Sequence, residues 1–136
     1  MVVDDQKDLL ELTTKMLEQD GFAVHGFDDP IRALGHVKGE DCRKCDTILS
    51  DIRMPGMSGF ELVIKLKELR PEMKIILMTA FAINKEEAQM MLPSTKVDAL
   101  INKPFKATEL VKTIKNIPQK TYVSAEAEHN ASRLAS

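Results

Sequence analysis

Apolar and polar positions along this chain switch repeatedly between a two-residue period and a helical one. Met1-Val2-Val3 reads as a strand cut short, ended at once by Asp4 and Asp5, because strands usually run five or six residues. From Gln6 to Asp20, Leu9, Leu10, Leu12, Met16 and Leu17 fall near helical spacing, and Gly21 stands where a helix would be capped. Phe22 to Phe27 alternates like a second strand. Asp28-Asp29-Pro30 starts a helix, with Pro30 suited to its first position, and Ile31, Leu34 and Val37 recur at i, i+3 and i+6 before it fades by Gly39.

The run Thr47-Ile48-Leu49-Ser50-Asp51 reads as a buried central strand that delivers one carboxylate to its end. Pro55, Gly56 and Gly59 then force a loop. Ser58 with Glu61 three residues on is a capping signature. The helix that follows places Phe60, Val63, Ile64 and Leu66 inside and must end before Pro71. Lys74 to Thr79 is the clearest buried strand, and Asn84 with Glu87 repeats the capping signature for a shorter helix. Val97 to Ile101 makes a weaker fifth strand, and after Lys103-Pro104-Phe105 a last helix runs to Ile117 through Leu110, Val111 and Ile114.

Five strands alternating with five helices predict an α/β fold with a parallel sheet covered on both faces. The length suits an open doubly wound sheet, because a closed eight-unit barrel needs about 250 residues. In such sheets ligands bind at the carboxyl ends of the strands.

Composition excludes more than it assigns. The 136 residues fit one domain, and the net charge of −2 gives no electrostatic footprint for nucleic acid. No apolar run approaches the roughly 20 residues of a bilayer span, and the start lacks a secretory pattern. Two cysteines indicate no disulfide framework, so a cytoplasmic location is the simpler expectation. Residues 118–136 carry few large apolar groups and read as a flexible or weakly helical tail after a domain at 1–117.

The strand ends carry Asp4 and Asp5, then Asp51, Thr79 and Lys103. Converging carboxylates repel one another unless a cation compensates them. Oxygen ligands with retained waters are what Mg2+ prefers. Lys103 offers a fixed positive charge to a phosphoryl oxygen, and Thr79 a hydroxyl. The set suits phosphoryl transfer, with Asp51 as nucleophile. Singly, each residue has a plain account as turn chemistry or a strand-end polar group. Four strand ends with complementary chemistry in one topology favour the functional account.

At these residues the sequence resembles the receiver domains of two-component response regulators. Val2-Val3-Asp4-Asp5, Asp51 to Leu62, Met78-Thr79-Ala80-Phe81 and Lys103-Pro104-Phe105 carry the likeness, over residues 1 to 117. The resemblance implies a flavodoxin-like (βα)5 three-layer sandwich with strand order 2-1-3-4-5. It implies that Asp51 accepts a phosphoryl group from a phosphohistidine on a sensor histidine kinase or phosphotransfer protein. Asp5 and Asp51 would bind Mg2+ through carboxylates, Asp4 mostly through a bound water, and Arg53 through its backbone carbonyl. Thr79 would move to bond the phosphoryl group, Lys103 would pair with it, Lys103-Pro104 would be cis, and Ala80 would leave the pocket accessible. Such a protein catalyses only its own phosphorylation and dephosphorylation, and signals through an unidentified protein partner. Pairing, as monomer or weak dimer, would use the face of the fourth helix, fifth strand and fifth helix.

Leu100 departs from the family pattern, which has an aromatic residue three before the lysine that couples to Thr79; Phe81 is the alternative for that coupling. A phosphorylation-independent interaction module is the competing reading. A phosphohydrolase is a third, disfavoured because Arg53 occupies the place of a second acid. The tail is too short for a DNA-binding domain, so a stand-alone receiver or the receiver half of a longer regulator is expected. Cys42-Arg43-Lys44-Cys45 has metal or redox spacing, but with His36 as a third donor it lacks a full zinc set and reads as loop thiols. The eight methionines read mostly as core filler, and Asn130-Ala131-Ser132 as a chance glycosylation sequon.

Overall fold

In a computed structural model that describes residues 1–39, 45–80 and 82–118, strands and helices alternate without exception. The order is β1 (Val2–Val3), α1 (Lys7–Gln19), β2 (Gly26–Phe27), α2 (Pro30–Lys38) and β3 (Thr47–Asp51), then α3 (Gly59–Leu69), β4 (Lys74–Thr79), α4 (Lys85–Met90), β5 (Ala99–Asn102) and α5 (Ala107–Asn116). All pairings are parallel, in the order β2-β1-β3-β4-β5, which is the flavodoxin-like arrangement expected. Phe81, Cys42, residues 119–136 and the sequon at Asn130 lie outside the described residues.

The β4 side chains show why both sheet faces must be covered. Ile75 and Leu77 pack with Leu34 and Val37 of α2 and Leu62, Val63 and Leu66 of α3. Ile76 and Met78 point the other way, to Leu17 of α1 and Leu110 and Ile114 of α5. Period-two alternation along an apolar strand thus feeds two separate cores. The caps follow the sequence signals. Asp29 accepts from the Ile31 amide at 2.9 Å with Pro30 beside it, and Ser58 accepts from Glu61 at 3.2 Å. Asn84 and Glu87 form a reciprocal capping box.

Several expectations need correction. The second strand covers only Gly26–Phe27, not Phe22 onward, because the two-residue β1 offers it two partners, Val2 and Val3. The fifth begins at Ala99 rather than Val97, because the Asp98 carboxylate takes the Ile75 amide at 2.8 Å where a ladder bond would start. Ile64, expected on the inner side of α3, is exposed, and so are Leu12 and Ile31. The buried stripes run through Pro30, Ala33, Leu34 and Val37, and through Gly59, Leu62, Val63 and Leu66. Each stripe keeps helical spacing but includes small residues that an apolar pattern passes over. Met90 and Met91 are 79% and 63% exposed, so these two are surface rather than core. Cys45 is disulfide-bonded, not a loop thiol. No described helix is long and apolar enough to cross a membrane.

Candidate functional site

Strand register brings the predicted residues to one edge. Val3 pairs with Ser50, so Asp4 follows β1 level with Asp51 at the end of β3. Asp51 pairs with Met78, and Thr79 pairs with Asn102, so Thr79 and Lys103 stand one step along the same edge. The Lys103 amide donates to the Thr79 carbonyl at 2.7 Å, which fixes where the lysine leaves the sheet. The Lys103-Pro104 bond is cis.

Three carboxylates converge there. One oxygen each from Asp4, Asp5 and Asp51 lies within 4.8 Å of the others. Asp4 is fully buried; its two oxygens accept from the Gln6 amide at 3.0 Å and from Lys103 Nζ at 2.8 Å. Lys103 Nζ stands 3.3 Å from Asp51 Oδ2, and Asp51 Oδ1 accepts from the Ile52 amide at 2.9 Å. Burial pushes the Asp51 carboxyl above its ordinary value, Lys103 opposes that shift, and Asp4 adds to it. One ammonium cannot neutralise three carboxylates, which leaves two net negative charges. The donor set is all oxygen and matches the charge and chemistry of one hard divalent cation.

The loop after β3 is shaped around this point. Gly56 has φ of 84°, a left-handed conformation that glycine adopts without a Cβ penalty. Gly59 starts α3 directly against β3, its amide donating to the Ile52 carbonyl at 2.7 Å. A Cβ there would overlap the Asp51 carbonyl oxygen. Ser50, fully buried, donates its hydroxyl to that same carbonyl at 2.9 Å. These Ser50 and Gly59 contacts went unforeseen; the Ser58-Gly59 helix start was the available signal for the second.

Thr79 is buried at the end of β4, and Ala80 after it is exposed. Arg53 is exposed two residues beyond Asp51. Leu100 is half-buried and packs against the core on the α2–α3 side of the sheet.

A doubly wound sheet with an acidic cluster, a hydroxyl and a lysine at its carboxyl edge offers the charge and donor set that phosphoryl transfer needs. The model of the response regulator receiver domain matches residues 1–115. The chain belongs to that family, and its class of function is phosphorylation-based signalling in two-component systems. It is 30% identical to the heme response regulator HssR of Staphylococcus epidermidis over 94% of this chain and 54% of that protein. Among solved structures, a CheY-like receiver domain of Methanospirillum hungatei is 32% identical with a TM-score of 0.73, over 84% of this chain and 87% of that one. The response regulator TrrA of Thermotoga maritima, solved in complex with Mg2+–BeF, is 27% identical with a TM-score of 0.70, over 85% and 95% of the two chains. The chain spans about half the length of the HssR relative it matches.

Proposed function

We propose that this protein is a phosphorylation-activated switch in which Asp51 is the phosphoacceptor and a sensor histidine kinase or phosphotransfer protein is the donor. The observation that carries the reading is Lys103 held between Asp4 and Asp51, at 2.8 and 3.3 Å, beside a cluster of three carboxylates. Bound Mg2+ supplies charge neutralisation for the carboxylates and the incoming phosphoryl oxygens. Asp5 and Asp51 would hold it through carboxylates, with the Arg53 carbonyl, and Asp4 mainly through water. That division is supported by Asp4 already using each oxygen in a hydrogen bond. The Mg2+–BeF complex of TrrA, a similar fold, supports the choice of metal.

An Asp51 carboxylate oxygen attacks phosphorus in line, a P–O bond forms, and the P–N bond to the donor histidine breaks. The P–N electron pair stays on nitrogen, and the imidazole leaves as the neutral ring because its other nitrogen keeps the proton it carried in the phosphohistidine. Lys103 stabilises the transferred oxygens, and the Thr79 hydroxyl donates to one of them. Exposed Ala80 leaves room for the donor ring. The protein thereby catalyses only its own phosphorylation and dephosphorylation. The phosphoryl state then changes the binding of a downstream protein, with exposed Met90 and Met91 of the α4 end as part of the contact surface.

The test is incubation of the chain with Mg2+ and a small phosphodonor or a kinase, followed by intact mass. We expect one hydroxylamine-labile phosphoryl adduct, absent in Asp51→Asn. No adduct from either donor would overturn the reading in favour of a phosphorylation-independent interaction module, which Leu100 at the aromatic position would then favour.

A further inference from the structure

At the opposite end of the sheet, three metal-ligating side chains converge from separate elements. His25 precedes β2, His36 lies near the end of α2, and Cys45 precedes β3. One ligating atom from each lies within 4.8 Å of the other two. Because β2 and β3 flank β1, residues just before both strands share the amino edge of the sheet, away from Asp51.

The two imidazoles are tilted 41° with centroids 4.8 Å apart, and His36 also lies 5.1 Å from the Phe27 ring. Ring packing accounts for where His36 sits, but not for its Nε2. That atom is buried and has no hydrogen-bond partner. Buried polar atoms are nearly always satisfied, and an exception calls for a ligand or another explanation. A neutral imidazole has one nitrogen that accepts or coordinates, and here two such rings face one sulfur.

We propose that His25, His36 and Cys45 form a thiol-gated site for a borderline-soft divalent metal, zinc above all. Two imidazole nitrogens and one thiolate are the donors zinc takes, whereas the oxygen cluster at Asp51 suits Mg2+. A tetrahedral zinc wants ligand atoms about 3.3–3.6 Å apart, so side-chain rotations of about 1 Å close the site. Three protein donors leave the fourth position to water. The disulfide at Cys45 keeps the site shut. A dithiol reductant opens it: the disulfide takes up two electrons and two protons, and the dithiol becomes a disulfide. On metal binding the Cys45 thiol releases its proton to solvent as the thiolate coordinates. The bound metal would tie the end of α2 to the approaches of β2 and β3, which makes metal occupancy dependent on thiol state.

The full chain is reduced with a dithiol, freed of it anaerobically, and titrated with Co2+ and Zn2+ in excess Mg2+ to occupy the carboxylate cluster. We expect one Co2+ per chain with a thiolate-to-cobalt charge-transfer band in reduced protein, and none in oxidised protein. His25 is exposed, so its replacement disturbs the core less than that of His36. His25→Ala and His36→Asn should each weaken Zn2+ by about ten-fold or more against a chromophoric chelator. Absence of the band from reduced protein overturns the proposal. So does a Zn2+ affinity unchanged in His25→Ala, whatever happens to the fold of His36→Asn.

Discussion

Lys103 Nζ lies closer to Asp4, at 2.8 Å, than to Asp51, at 3.3 Å. A residue after β5 is thereby tied to one after β1, across the ends of β3 and β4. Asp4 is fully buried and the Lys103 side chain is 12% exposed, so the pair is shielded from water. Removing one partner of such a pair leaves an uncompensated charge. In metal-free protein Lys103→Met should cost about 3 kcal/mol in urea unfolding. Saturating Mg2+ should recover a large part of that loss, because it neutralises the same carboxylates. An equal loss with and without Mg2+ would show that the metal does not sit among them.

Asp51→Asn should abolish the phosphoryl adduct and yet stabilise the metal-free protein at neutral pH. Burial raises the folded-state pKa of Asp51 above its ordinary 3.8, so the ionised carboxylate is less favourable in the native state than in the unfolded one. That penalty is absent below pH 3.8 and complete once pH exceeds the raised native value. The midpoint difference between variant and parent should therefore shrink to nothing as pH falls toward 3.8. Mg2+ should reverse the order at neutral pH, because only the parent keeps all three carboxylates. A variant less stable than the parent at neutral pH without metal would contradict the direction of the shift.

The placement of the candidate site was legible because Asp4, Asp51 and Thr79 are each a polar group at or near the abrupt end of an apolar run. Asp51 after Ile48 and Leu49, and Thr79 after Ile75 to Met78, need no knowledge of what faces them. Strand order was not legible that way. Periodicity gives βα alternation, and only the resemblance supplied 2-1-3-4-5. Helix faces were half right, because Ala33 and Gly59 lie on buried stripes where backbone approaches closely, and no apolar count marks them. The His25–His36–Cys45 cluster was legible only in part, because the sequence offered Cys45 with His36 as a third donor and left His25 out. His25 and His36 are eleven positions apart with no motif between them, and only the β2–β1–β3 order brings them beside Cys45.

Asp5 is the most accessible way to test the oxygen cluster, because it is half-buried and has no part in the covalent chemistry proposed for Asp51. Asp5→Ala removes one anionic ligand and should weaken Mg2+ about ten-fold, or ~1.4 kcal/mol, in a calorimetric or fluorescence titration. Phosphorylation at low Mg2+ should slow in parallel and recover when Mg2+ is raised. Unchanged affinity would mean that the metal takes other ligands than the three carboxylates brought together here.

Gly59→Ala tests whether the helix start holds the phosphoacceptor in place. The added methyl group would run into the Asp51 carbonyl oxygen and lie 3.0 Å from the Ile52 Cα, both backbone atoms with little freedom to yield. Overpacking of this kind costs about 1–3 kcal/mol. Relief by lifting α3 would also break the 2.7 Å bond from the Gly59 amide to Ile52. Either route shifts the backbone that carries Asp51, so the rate of phosphorylation should fall even where the variant remains folded. Ser50 donates its hydroxyl to the same carbonyl, at 2.9 Å. Ser50→Ala removes that bond without adding bulk, so it should lower stability by about 1 kcal/mol and leave the rate nearly intact. Equal rate losses in both variants would place the sensitivity in the carbonyl's hydrogen bonding rather than in the fit of α3 against β3.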